Sequence, residues 1–262
     1  KANRLLCCFF IIPFFSFCFF PVLSARASGT EYDSAHPENL DPSHLNCKAA
    51  ILIEAESGDV IFEKNADELI YPASTTKILT AYLALTLADS EIMCSVSPIA
   101  LNIPSDSSKI GLVAGESINI IDMIYATMLV SGNDGANVLA ENVAGSIPEF
   151  VKVMNRATSA YGCTSTHFAN AHGYHDPDHY TTARDMAIIA RIAMQNDEFR
   201  QIAATTSYTV PSTAYSGSRA LSTTNKLLRI FENYEDCYYS YSTGIKTGQH
   251  SAAGYCLVSS AV

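Results

Sequence analysis

Apolar residues along this chain fall into one unbroken run at the start, several short runs, and longer segments apolar on nearly every helical face. The opening run, residues 5–23, is interrupted only by Ser16, Pro13 and Pro21. Basic Lys1 and Arg4 precede it, and the small-x-small tripeptide Ala25-Arg26-Ala27 follows it. That order predicts a secretory leader cut after Ala27, in residues 1–27. An uncleaved membrane anchor is the competing reading, and the two prolines and the cleavage-like tripeptide argue against it.

Residues 28–46 are polar and read as a linker. Two short apolar runs, 49–54 and 60–63, flank Ser57-Gly58-Asp59 and predict a β-hairpin. After Pro72 a helix is expected over 74–88, apolar all round (Ile78, Leu79, Tyr82, Leu83, Leu85, Leu87) and therefore buried. Residues 118–130 form a second segment of that kind. Helices over 136–144, 147–161 and 183–195 follow, the second opened by a Ser146/Glu149 capping box and closed at Gly162. The third is begun by Thr182 with Asp185 three residues on. Strands return at 207–210, 242–247 and 254–262. Strands at both ends with helices between predict an α+β fold, its antiparallel sheet pairing the last strands with the first hairpin.

Composition narrows the function. With 262 residues, 48% hydrophobic and 16% charged, the chain is long enough for a real core. Losing residues 1–27 removes Lys1, Arg4 and Arg26 and no acid, leaving 13 basic and 26 acidic residues and a formal charge of −13. Nucleic acid is thereby excluded as a natural partner. Three of eight cysteines fall in the leader; Cys47, Cys94, Cys163, Cys237 and Cys256 are odd in number and lack CxxC spacing, which argues against a disulfide framework or zinc site. The chain begins on Lys and stops inside an apolar run, so it reads as a fragment of a longer protein, with residues 47–262 an incomplete catalytic domain.

Three short motifs carry chemistry. Lys77 stands on a helix that is apolar all round, where an unpaired ammonium is costly. Ser74, three residues earlier, shares its face and stands at the helix N-terminus, where free N–H groups favour negative charge. A hydroxyl beside a lysine at such a site fits an activated nucleophile, the lysine acting as base only if desolvation and a second cation lower its pKa. The alternative makes Ser74 a plain cap and Lys77 a snorkelling side chain. Ser131-Gly132-Asn133 places a hydroxyl and an amide on a tight loop between helices, although turn chemistry alone explains Ser131 equally well. Ser117-Ile118-Asn119 has the same spacing and reads as a helix start. Lys246-Thr247-Gly248, on a late strand, offers a cation and a hydroxyl for a carboxylate, with Gly248 admitting a ligand to the backbone.

The order SxxK, SxN, KTG is that of the active-site serine β-lactamases and penicillin-binding proteins. Around the motifs, Tyr71-Pro72-Ala73-Ser74-Thr75-Thr76-Lys77, Met128-Leu129-Val130-Ser131-Gly132-Asn133-Asp134 and Gly244-Ile245-Lys246-Thr247-Gly248 resemble the D-alanyl-D-alanine carboxypeptidase family. So do His179-Tyr180-Thr181-Thr182-Ala183-Arg184-Asp185-Met186, Thr224-Asn225-Lys226-Leu227-Leu228 and Ala252-Ala253-Gly254-Tyr255. The resemblance implies a β-lactamase/transpeptidase-like fold and an exported enzyme without cofactor or metal, acting on peptidoglycan stem peptides ending in D-Ala-D-Ala and acylated by β-lactams. It implies Ser74 as nucleophile, Lys77 as base, Ser131 as proton relay and Asn133 as a grip on the substrate amide. Lys246, Thr247 and Gly248 would receive the terminal carboxylate, and the N–H groups of Ser74 and Gln249 would form the oxyanion hole. His250 departs from the small hydroxyl residue the family usually carries two places after KTG. A C-terminal segment giving peripheral membrane attachment is a further family feature.

Three competing readings are open. A class A β-lactamase needs a Glu-x-x-x-Asn, and no Glu after Ser131 has Asn four places on. A non-catalytic β-lactam sensor would acylate without turnover. His172, His175, Asp176, Asp178 and His179 have the residue types of a metal site, on a loop broken by Gly173 and Pro177.

Overall fold

The computed structural model describes Leu5–Ile11 and residues 41–262. The predicted cleavage site and most of the predicted linker lie outside these residues. The described part of the linker contains a 3-10 turn, Pro42–His44, capped by the Asp41 carboxylate.

A five-stranded antiparallel sheet carries the fold, in the order β3-β2-β1-β9-β8. Its strands are β1 (Leu5–Ile11), β2 (Ala50–Glu54), β3 (Val60–Lys64), β8 (Ser242–His250) and β9 (Gly254–Ala261). The hairpin and the last strands therefore share one sheet, as the pattern predicts. They do not pair directly, because the backbone of β1 lies between them, opposite residues 50–54 on one side and 255–261 on the other. The physical reason is that a run of seven apolar residues satisfies the centre of a sheet as well as the core of a leader.

Six helices pack against this sheet and each other. The expected helix over 74–88 is in fact two pieces: a 3-10 turn, Ala73–Thr76, runs into α1 (Lys77–Leu87). Helix α2 (Ile120–Leu129) is nearly all buried, as expected, but the stretch before it pairs as the two-stranded β4 (Met93–Ser95) and β5 (Ser117–Asn119). Helix α3 (Asn133–Ala144) begins three residues earlier than predicted, because Gly132 caps it and Asp134 sits in its first turn. Helices α4 (Ile147–Ala160) and α5 (Ala183–Ala193) start where their caps say: Ser146 accepts from Glu149 N–H and Thr182 from Asp185 N–H. Helix α6 (Asp197–Ala204) and the hairpin β6–β7 (Ser207–Val210, Arg219–Ser222) complete the chain order. One hydrophobic core joins α1, α2, α3 and α5 to the sheet, with Ile78, Leu79, Met123, Leu139 and Met186 all at most 1% exposed. Among the described residues no helix is long and apolar enough to cross a membrane.

Candidate active site

The 3-10 turn at the head of α1, the α2–α3 loop and strand β8 meet at one cavity of about 870 Å³. Ser74, Ser131, Thr247, Gly248 and Gln249 all line it, with Asp106, Ser108, Thr224, Asn225 and Lys226. The three motifs, dispersed between residues 74 and 248, thus converge.

Ser74 lies in the 3-10 turn, one turn before the buried stretch of α1. Ala73, just before it, has φ +48°, a left-handed conformation for a residue with a side chain, so the backbone bends sharply to present the serine. Two contacts hold that bend. The Thr76 hydroxyl donates to the Ala73 carbonyl at 2.8 Å, and Gly173 lies so close that a Cβ there would stand 1.8 Å from the same oxygen. Only glycine fits.

Lys77 is wholly buried. Its Nζ donates to three acceptors: Ser74 Oγ at 3.0 Å, Asn133 Oδ1 at 2.7 Å and the His172 carbonyl at 2.6 Å. Burial holds its pKa well below the ordinary lysine value, and the second cation at Lys246 pushes the same way; the Asp134 carboxylate opposes them. A neutral amine 3.0 Å from a serine hydroxyl can take its proton.

Asn133 is buried and its amide oxygen is already engaged by Lys77, leaving the amide NH₂ for other partners. Ser131 has φ +61° and its buried Oγ has no hydrogen-bond partner. The loop that strains it is pinned by Asp134, whose carboxylate accepts from the N–H groups of Ile110, Gly111, Leu112 and Gly135 at 2.9–3.3 Å. Asn133 N–H adds a bond to the Ser108 carbonyl.

On the opposite wall Lys246 is 1% exposed, and burial brings its pKa down to about 7. Its Nζ donates to the Thr247 carbonyl at 2.9 Å. Thr247 and Thr224 share a hydroxyl–hydroxyl bond of 2.6 Å at the cavity edge. Gly248 backs onto the serine turn, where a Cβ would come within 3.0 Å of Ser74 N. A side chain there would push the strand off the Ser74 turn.

Sequence reasoning passed over Thr224, Asp134 and the His172 carbonyl as site-builders. Thr224 and Asp134 stand inside stretches that carry the family likeness, which was the available signal. The His172 carbonyl leaves none. His250 lies three residues past Thr247, its ring against His175 and Tyr174, with centroids 5.1 and 5.4 Å away, and its Nδ1 accepts from Ala252 N–H. Two histidines of the 172–179 loop, His172 and His179, are spent on structure. His179 Nδ1 accepts from Ala169 N–H, which places its proton on Nε2, 2.8 Å from Thr76 Oγ1. His172 Nδ1 accepts from Tyr174 N–H. Burial brings both pKa values down to about 3. Among the described residues no three His, Cys, Asp or Glu side chains converge as metal ligands, and Cys47, Cys94, Cys163, Cys237 and Cys256 are free.

The same family emerges from comparison with known proteins. A D-alanyl-D-alanine carboxypeptidase of Haemophilus influenzae, DacA, is 32% identical over 228 residues, which is 84% of this chain and 54% of that protein. The carboxypeptidase DacF of Bacillus subtilis is also 32% identical, over 82% of this chain and 54% of its own length. The chain thus spans about half the length of these relatives. Among solved structures, the Streptomyces K15 DD-transpeptidase superposes with a TM-score of 0.72 at 29% identity, covering 79% of this chain and 82% of that one. The carboxypeptidase DacD of Francisella tularensis gives 0.74 at 27% identity, over 86% of this chain and 64% of that one. The fold is that of these penicillin-binding DD-peptidases, an α+β sheet with a helical subdomain. The family model of peptidase S11, D-alanyl-D-alanine carboxypeptidase, matches residues 35–262, and the chain belongs to that family.

Proposed function

We propose that the protein is a serine-type D-Ala-D-Ala carboxypeptidase that removes the terminal D-alanine of peptidoglycan stem peptides through an acyl-enzyme. One observation carries this reading: a half-buried serine hydroxyl 3.0 Å from a fully buried lysine amine whose pKa desolvation and a second lysine push well below the ordinary value. Ser74 Oγ attacks the carbonyl between the two D-alanines while Lys77 Nζ takes its proton. The Ser74 and Gln249 N–H groups meet the oxyanion. Ser131 Oγ, left without a protein partner, relays the proton to the departing amine. The Asn133 NH₂ holds the substrate amide. Lys246, Thr247 and Thr224 receive the terminal carboxylate, a role that needs Lys246 charged. Water then releases the shortened peptide. β-Lactams present the same carbonyl and carboxylate and acylate the same serine.

The enzyme works outside the cytoplasmic membrane, exported by the leader read at residues 1–27. Leader and strand β1 claim the same residues, so cleavage after Ala27 would take β1 out of the sheet. Intact-mass measurement of the protein recovered from the cell envelope decides: a start at Ser28 supports export by cleavage, and a retained residue 1 opposes it.

The activity is tested by incubating the purified protein with a peptide ending in D-Ala-D-Ala and measuring free D-alanine. Steady release, abolished in Ser74→Ala, is expected. Acylation by penicillin with no D-alanine released would favour a sensor instead.

A further inference from the structure

The cavity lining carries charges of both signs. Lys226 is among the lining residues, its Nζ over the Tyr234 ring at 2.9 Å from the centroid, two residues after Thr224, which shares a hydroxyl bond with Thr247. Asp106 is the one acid among the cavity-lining residues described, and it stands on the 101–109 stretch of the opposite wall. The Tyr174 hydroxyl donates to its two carboxylate oxygens at 3.2 and 3.4 Å, and the Tyr174 ring packs edge-on against His250. Asp106 is thus tied to the end of β8 that lies beyond Gln249.

Strand geometry orients the substrate. At about 3.3 Å per residue, His250 lies roughly 10 Å past Thr247 along β8. A peptide whose terminal carboxylate meets Lys246 and Thr247, and whose scissile carbonyl meets Gln249 N–H, therefore sends its preceding residues towards His250, Tyr174 and Asp106. Among the described residues no Lys or Arg pairs with Asp106. Partial burial and His175 lower the pKa of the His250 imidazole, and Asp106 opposes them. An exposed carboxylate oriented by Tyr174 and unpaired with Lys or Arg is a receptor for a cation.

We infer that Asp106, oriented by Tyr174, selects stem peptides whose residue before the D-Ala-D-Ala pair carries a free side-chain amine. This specificity rests on the carboxypeptidase reading above and adds a consequence to it: stems whose amine is acylated, as in a cross-link, are poorer substrates. Asp106 acts by binding and takes no part in the chemistry.

The test compares kcat/KM for two peptides ending in Lys-D-Ala-D-Ala, one with the lysine amine free and one with it acetylated, in the wild type, Asp106→Asn, Asp106→Lys and Tyr174→Phe. A single exposed charge pair predicts a wild-type preference of about two- to fivefold for the free amine, weakening as salt rises. Asp106→Asn should bring the ratio near one, Asp106→Lys should reverse it, and Tyr174→Phe should fall between wild type and Asp106→Asn. A merely structural role for Asp106 would lower both substrates alike and keep the ratio. A wild-type ratio near one, or a ratio preserved in Asp106→Asn, overturns the inference while leaving the carboxypeptidase reading intact. Failure to cleave either peptide overturns both.

Discussion

The two walls of the cleft each bury a lysine, and they treat it differently. On the helical wall Lys77 has three acceptors within 3.0 Å, on backbone strained at Ala73 and Ser131 and clamped from behind by Gly173. On the strand wall Lys246 has one acceptor, a neighbouring carbonyl, and burial alone lowers its pKa. The first lysine is fixed in place by its partners, which suits the base role proposed for it. The second is left under-satisfied, and an anion completes it. The influence between them runs one way: the charge on Lys246 helps lower the pKa of Lys77.

That difference sets the order of the mutational effects. Lys77→Ala removes the base and should slow penicillin acylation by about 10³-fold, measured by stopped-flow or burst kinetics. Lys246→Ala removes the carboxylate's charged partner and should lower kcat/KM on peptides by about 10²-fold. The two walls should also separate by pH. As pH falls, Lys77 protonates through its lowered pKa and acylation is lost; as pH rises through about 7, Lys246 loses its charge and carboxylate capture weakens. A kcat/KM profile with an alkaline limb present in the wild type and absent in Lys246→Ala would bear this out, and an alkaline limb unchanged in that variant would contradict it. Gly173→Ala drives a Cβ into the Ala73 carbonyl at a φ of +83° and should cost about 3 kcal/mol of stability by thermal melting. Thr224→Val loses one hydroxyl bond and should reduce kcat/KM about fivefold, near 1 kcal/mol.

The helical wall was largely legible in the sequence, and the reason is local. Ser74 and Lys77 are three residues apart on one face, so a polar pair in an apolar segment stands out without any tertiary information. The strand wall was legible only as a short tripeptide, and its partner Thr224 only as part of a family-like stretch. Capping chemistry placed the starts of α4 and α5, while α6, eight residues behind an Asn196 cap, was missed because so short a helix has little periodicity to read. The position of β1 could not be read, because an apolar run carries no alternation to say which strands it joins. Nor could the His172 carbonyl at Lys77, since backbone groups leave no trace in side-chain pattern.

Peptide mapping by mass spectrometry after exposure to penicillin tests the central claim most directly. A single adduct is predicted on the peptide containing Ser74, absent from Ser74→Ala. An adduct that persists in Ser74→Ala, or none on the wild type, would contradict it.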